Sequence, residues 1–342
     1  MVQEKNIVRL GLTVIMFIAL LGLVSTPALA KGKGRHPHVQ RSCSKTASSA
    51  YLACQYEVKD DYWIARGNCY NAKEDQAECF GDAKAESKEA KEECRDQLEA
   101  RKEVCEELGE APYDPQLGNP AVNFVDPEEI GGDVDPNPYF PLVPGYQWVY
   151  TGGGETIIVT VTEDTKDIEY SGFTYKCAVV RDVVYEGDPA DEDNIIEDTF
   201  DWYAQDISGN VWYLGESSRE LEEGELVSID GSWKAGAEDA KPGIIMYASP
   251  DPDNENQQNP YRQEFFLGDA EDVGEVKELG GPVNVLGTDY LSHVVIEDTT
   301  PLEPDASEDK YFAEGLGLYL EVPNEGYPVE LVRFATTPTP YP

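Results

Sequence analysis

The spacing of six of its seven cysteines restricts the folds open to this 342-residue chain. The intervals from Cys43 to Cys105 are 11, 15, 10, 15 and 11 residues, and they read the same in both directions. Steps of 11 and 15 residues return to nearly the same face of an α-helix. The segments 43–69 and 79–105 are therefore predicted to be antiparallel helices with facing cysteines, and residues 43–108 to form a helical hairpin.

If the chain is exported, its six clustered cysteines favour disulfide bonds, although the sequence alone allows fifteen pairings. Two cysteines 11 residues apart on one helix are separated by about 16 Å, which is beyond disulfide reach, so every bridge must cross between the helices. One nested arrangement keeps a single register throughout: Cys43 with Cys105, Cys54 with Cys94, and Cys69 with Cys79. Cysteine pairs with the close spacing of redox or zinc sites are absent, and no metal ligands are predicted.

The first thirty residues have the pattern of a secretory signal peptide. Lys5 and Arg9 precede an apolar run, and the small-residue sequence Ala28-Leu-Ala30 marks a cleavage site. A membrane anchor is the alternative, but the run is too short to span comfortably and Pro27 follows it. We therefore expect a secreted or periplasmic protein without a membrane span, in which residues 31–42 form a basic flexible arm.

The negative net charge of the chain argues against nucleic acids and anionic membranes as partners. The chain has 67 Asp and Glu against 26 Lys and Arg, for a formal net charge of −41. Such an excess of carboxylates repels phosphate backbones and anionic lipids, so we expect no nucleic-acid or membrane-surface binding. Because 40% of the residues are apolar, the chain can still form a substantial core.

The rest of the chain divides by composition. Residues 109–145 are predicted to be a proline-rich acidic linker, and residues 336–342 a Pro/Thr-rich tail. Between them, residues 146–335 contain short alternating runs separated by turn residues, which is typical of antiparallel sheet. The predicted fold class is α+β: a disulfide-stapled antiparallel helical hairpin, then an antiparallel β-barrel or strongly curled β-sheet, because closure removes exposed edges.

Three stretches of the β half carry a resemblance to a known family. They are Tyr139-Phe-Pro-Leu-Val-Pro-Gly145 with Trp148-Val-Tyr150, the run DTFDWYAQDISGNVWYLGE that starts at Asp198, and Gly236 with Lys241-Pro-Gly-Ile-Ile-Met246. Residues 139–335 thereby resemble a recurrent, uncharacterised β-domain of secreted bacterial proteins. The resemblance implies export and this fold, and it implies no site residues.

Catalytic signatures are scarce. His293 is the only histidine of the β half, and its alternation with apolar neighbours favours a half-buried structural role. Cys177 is predicted to be a packed, inert thiol. No nucleophile elbow, phosphate-binding loop or metalloprotease motif occurs, and no catalytic residues or cofactors are predicted. Paired carboxylates leave a hydrolase open as an alternative, but in so acidic a chain their presence is uninformative.

The predicted function is non-catalytic binding of a small apolar or aromatic ligand, or of a partner, by the β-domain. The candidate ligand-binding residues are the aromatics of the clearest hairpin: Phe200, Trp202, Trp212 and Tyr213. For any one of them, packing in the core is the competing interpretation. A second hypothesis is a structural, surface or matrix protein whose helical hairpin docks a partner, and a third is a carboxylate-based hydrolase.

Overall fold

A computed structural model describes residues 41–73, 75–187 and 189–338 of the chain. The predicted signal peptide, residues 31–40 of the predicted arm and residues 339–342 of the tail lie outside the described residues. Among the described helices, none combines the length and the apolar character that a membrane crossing requires.

The helical hairpin is confirmed. Helix α1 runs over Ser42–Asn71 and helix α2 over Gln76–Leu108. Small residues such as Ala47 and Ala83 are buried between the two helices, which allows their backbones to approach closely. The disulfides are nested, with Cα–Cα distances of 5.6, 5.9 and 5.6 Å: Cys43–Cys105, Cys54–Cys94 and Cys69–Cys79.

The remaining described elements are mostly strands. Two short helices, α3 (Pro120–Asn123) and the 3-10 helix Pro127–Glu129, precede them, and a second 3-10 turn covers Glu192–Asn194. The strands are β1 Gln147–Gly152, β2 Glu155–Tyr170, β3 Phe173–Glu186, β4 Ile195–Gln205, β5 Val211–Ser217, β6 Glu220–Glu222, β7 Glu225–Ser228, β8 Trp233–Lys234, β9 Lys241–Met246, β10 Tyr261–Arg262, β11 Glu264–Phe265, β12 Val273–Gly280, β13 Val283–Val285, β14 Thr288–Tyr290, β15 His293–Thr299, β16 Ser307–Ala313, β17 Gly317–Pro323 and β18 Val329–Ala335.

Within the described part of the chain, sixteen strands form one antiparallel sheet. Thirteen of them follow one another from β10 through β12, β15, β16, β17, β18, β1, β2, β3, β4, β5 and β9 to β11, while β6 pairs with β4 and β7, and β8 pairs with β5. Strands β10 and β11 are consecutive in the sequence and separated only by Gln263. The segment 261–265 therefore pairs with β12 on one side and with β9 on the other. This exchange of partners nearly closes the sheet into a barrel, so the predicted α+β fold is confirmed.

The closure brings two backbones unusually close together. A Cβ atom built on Gly243 of β9 would lie 2.4 Å from the carbonyl oxygens of Arg262 and Gln263. Only a residue without a side chain fits there, because the obstructing atoms belong to the backbone and cannot rotate away.

Residues 109–145, which we expected to act as a linker, pack against the sheet over much of their length. Leu117, Ile130 and Leu142 are buried in the core. The buried Asn137 donates from its backbone to the side chain of Gln205 at 2.9 Å. Frequent prolines limit regular structure in this segment to two short helices, but widely spaced apolar side chains still anchor it. Composition alone does not reveal those anchors.

The hairpin also contacts the β half directly. Nε2 of Gln97 donates to the carbonyl of Leu302 at 2.9 Å, and Arg101 pairs with Glu271. The described residues accordingly fall within one compact unit, Gln40–Pro342.

Candidate functional site

A cavity of about 530 Å³ lies between the base of the hairpin and the outer face of the sheet. Its third wall is the segment 109–115, which leaves the end of α2 and which we call the strap. A volume of this size is typical of sites that enclose one small organic molecule. The cavity is therefore the first candidate for a binding site.

Tyr113 fixes the strap in place over the cavity. Its hydroxyl donates to the carbonyl of Pro242 at 2.8 Å, and its own carbonyl accepts from Nζ of Lys241. The two prolines that flank Tyr113 and Asp114 restrict the backbone further. Burial raises the pKa of the Tyr113 phenol, so the ring stays neutral at physiological pH.

Aromatic side chains of the sheet form much of the opposite wall. Nε1 of Trp212 donates to a carboxylate oxygen of Asp206 at 3.1 Å, which holds the indole in one orientation. Tyr247 packs edge-to-face on Tyr261 with ring centroids 4.8 Å apart, and Ile244 fills the space beside them. Rings held in this way provide rigid apolar contact area for a ligand.

Arg262 is the unusual residue of the cavity wall. The residue is only 8% exposed, and its guanidinium lies 4.5 Å from the ring centroid of Phe265 and 5.6 Å from that of Tyr113. Among the described residues, Nη1 has no hydrogen-bond partner. Burial lowers the pKa of this guanidinium, although Glu271 and Tyr113 act in the opposite direction.

The two other basic side chains of the cavity wall already have hydrogen-bond acceptors. Arg101 donates to both carboxylate oxygens of Glu271 at 2.7–3.0 Å, and this carboxylate also accepts from the backbone of Gly268 at 2.9 Å. Lys241 is tied to the strap as described. The cavity thus presents an apolar and aromatic surface with one buried cation, Arg262, that lacks an ion-pair partner in the described structure.

A second, smaller cavity of about 200 Å³ lies inside the barrel. Lys310 is its central cation, with Nζ 2.9 Å from Asp298 and 2.8 Å from Glu308. Burial by itself lowers the pKa of Lys310, but these carboxylates outweigh it and raise the pKa well above its ordinary value. The volume of this second cavity is below the usual range for small-molecule sites.

The carboxyls around the barrel interior resist ionisation. Burial raises the pKa of Asp201 to about 6 and that of Glu216 to about 8, and it raises the pKa of Asp182 well above the ordinary value. The Asp201 carboxylate accepts from the Tyr213 hydroxyl at 2.7 Å, which opposes the shift. In the described residues, no three His, Cys, Asp or Glu side chains are arranged to hold a metal ion.

The four predicted ligand-binding aromatics do not lie together. Trp212 lines the large cavity, whereas Tyr213 is buried and stacks on Tyr203 with centroids 4.7 Å apart. Phe200 and Trp202 contribute to the wall of neither cavity. Phe200 packs under Arg181 and Arg219, and Lys166 lies over Trp202. Successive residues of a strand face opposite sides of the sheet, which separates Trp212 from Tyr213.

The two residues predicted to be structural are placed as follows. His293 is half-buried, with Nδ1 3.0 Å from the carbonyl oxygen of Gly281. Cys177 is fully buried in the core, and burial raises the pKa of its thiol. A thiol that stays protonated is a poor nucleophile.

Neither Arg262 nor Tyr113 was predicted as a site residue. Arg262 belongs to a run, Tyr-Arg-Gln-Glu-Phe-Phe, in which buried positions do not alternate because the segment changes partner at Gln263. A signal was available for Arg101, which follows Cys94 by seven residues and precedes Cys105 by four. Those intervals place a charge on the buried face of α2.

Comparisons with known proteins find no matching family model, no similar curated protein and no similar solved structure. The likeness of residues 139–335 to a secreted bacterial domain stays a prediction from the sequence. Disulfides form and persist in oxidising compartments, so the three bridges indicate a protein located outside the cytoplasm.

Proposed function

We propose that this chain is an exported, non-catalytic binding protein that holds one small organic molecule in the cavity between hairpin and sheet. The observation that carries the proposal is a cavity of about 530 Å³ with aromatic walls on two sides. Export to the periplasm or the exterior fits the signal-like N-terminal sequence and the three disulfides.

The construction of the walls supports this function. The Cys43–Cys105 disulfide lines the cavity and fixes the base of the hairpin, while the Arg101–Glu271 ion pair holds α2 against the β half. A wall whose parts are already fixed loses little conformational entropy when a ligand binds. Rigid attachment of the hairpin thus serves binding as well as folding.

The proposal is tested with the neutral fluorescent probe N-phenyl-1-naphthylamine. We expect saturable, one-to-one binding to the full chain, with quenching of tryptophan fluorescence that is reduced in Trp212→Phe. Ile244→Trp places extra volume in the cavity and should weaken binding at least about tenfold. The control is Leu279→Trp, since Leu279 is 49% exposed and lies outside the cavity. Absence of binding, or equal binding by both tryptophan variants, would contradict the proposal.

The docking hypothesis for the hairpin retains one observation in its favour. Leu52, Tyr56, Trp63 and Tyr70 are 56–70% exposed, and their spacings of 4, 7 and 7 residues place them on one face of α1. The same probe separates the two candidates. If Tyr56→Ala with Trp63→Ala removes probe binding while Ile244→Trp retains it, the hairpin face is the binding surface.

A further inference from the structure

We infer that the cavity selects organic acids, and that the carboxylate of the ligand pairs with Arg262 while its apolar body lies against Trp212 and Tyr113. This inference rests on the proposed function and names the chemical class of the ligand. It depends on a feature that a purely apolar site does not need: a buried guanidinium in the wall.

Arg262 lacks the partner that buried arginines normally have. Arg262 is only 8% exposed, and its Nη1 is buried without an acceptor among the described residues. Glu271 is the obvious counter-ion, but its carboxylate already accepts three hydrogen bonds from Arg101. Arg101 therefore occupies the Glu271 carboxylate, and Arg262 has no ion-pair partner among the described residues.

The neighbouring rings hold Arg262 without neutralising it. The guanidinium lies over the rings of Phe265 and Tyr113, and such cation–π contacts are favourable but supply no hydrogen-bond acceptor. The edge of the guanidinium carries the N–H groups, and these need acceptors when they are buried. A ligand with acceptor oxygens supplies what the rings do not.

The chemistry favours a monocarboxylate over a phosphate or a neutral ligand. The planar fork of an arginine matches the two oxygens of a carboxylate. The buried Arg262 balances one negative charge of a ligand, and the exposed Asp114 in the strap opposes a second negative charge. The net charge of −41 repels anions in general, so a preference for acids has to arise locally at Arg262.

A matched pair of ligands tests the inference on the unmodified protein. 1-Naphthaleneacetic acid and 1-naphthaleneacetamide have nearly the same shape, and only the acid is ionised at pH 7. We expect calorimetry in 0.15 M salt to give a dissociation constant for the acid about 10- to 100-fold lower than for the amide. Equal affinities, or tighter binding of the amide, would overturn the inference.

Variants then locate the source of the preference. Arg262→Met should bring the dissociation constant of the acid to that of the amide, and far-ultraviolet circular dichroism checks that the variant folds. Arg219→Met is the control, because Arg219 packs on Phe200 in a similar way but lies outside the cavity. An acid preference that survives Arg262→Met contradicts the inference and leaves the proposed function intact. A protein that binds neither the neutral probe nor the acid contradicts both.

Discussion

Two buried arginines at the interface between hairpin and sheet differ in whether they have an ion-pair partner. Arg101 and Glu271 have side chains that are 6% and 2% exposed, and they form a complete ion pair. Arg262 is equally inaccessible and has rings but no carboxylate. A buried charge is costly unless it is paired. The Arg101–Glu271 pair therefore holds the hairpin against the sheet, whereas the unpaired Arg262 points to a ligand.

The buried pair gives a prediction at the residue scale. Arg101→Met leaves the carboxylate of Glu271 buried without its counter-ion, and we expect the free energy of unfolding to fall by about 3–5 kcal/mol. The exposed pair of Lys88 and Glu92 on the same helix supplies the control, and Lys88→Met should cost less than about 1 kcal/mol. Urea titration measures both. Similar losses for the two variants would show that the Arg101 pair is not structural.

At the scale of elements, the closure of the sheet depends on the five residues 261–265, which pair with β12 and then with β9. The same short segment carries Arg262 on the outer face and brings Gln263 to the barrel interior, where its amide donates to Asp298 at 2.8 Å. The segment that closes the barrel therefore also supplies part of the wall of the candidate site.

Glycine at position 243 is expected to be essential for that closure. In Gly243→Ala the new methyl group meets backbone atoms at 2.4 Å, so the strands must move apart, at a cost of about 1–3 kcal/mol. Gly281→Ala is the matched control, since nothing lies within 4 Å of its new methyl group. Thermal unfolding followed by circular dichroism compares them. An unchanged transition in Gly243→Ala would refute the close approach of β9 to the closing segment.

The elements that could be predicted from the sequence are those with a local periodic pattern. Cysteine spacing specifies the hairpin, and alternation specifies strands such as β2 and β3, because both patterns follow from helix and strand geometry. The candidate site has no such pattern. Its walls come from α2, the strap and the segment 261–265, which are distant in sequence, and composition does not show that the strap packs. Among the residues of the cavity wall, Trp212 is a predicted ligand-binding residue, because it belongs to the clearest hairpin of the sequence.

The whole molecule combines a strongly acidic surface with acidic groups inside its barrel. Burial raises the pKa of Asp201 and of Asp272 to about 6 and that of Glu216 to about 8. These carboxyls keep their protons in the folded protein at pH values where the unfolded chain has lost them. Between about pH 4 and pH 8 the folded state therefore binds more protons, and the free energy of unfolding must fall as the pH rises.

We expect the protein to be more stable at pH 5 than at pH 8 by about 2 kcal/mol or more. Glu110 and Asp126, whose pKa values are lowered by hydrogen bonds from Ser44 and Lys176, oppose this trend only below about pH 4. Urea titrations at several pH values measure the trend.

General charge repulsion also weakens at low pH, so a variant is needed to isolate the buried groups. Glu216→Gln should flatten the dependence between pH 6 and pH 8, whereas the exposed Glu225→Gln should leave it unchanged. Stability that rises with pH in the unmodified protein would contradict the neutral state of the interior carboxyls.

The position of a bound ligand is the most direct evidence on what this molecule does. A crystal of the full chain soaked with N-phenyl-1-naphthylamine should show difference density between Tyr113 of the strap and Trp212 of the sheet. Density inside the barrel beside Lys310, or only on the exposed face of α1 around Trp63, would contradict the assignment of the cavity as the binding site.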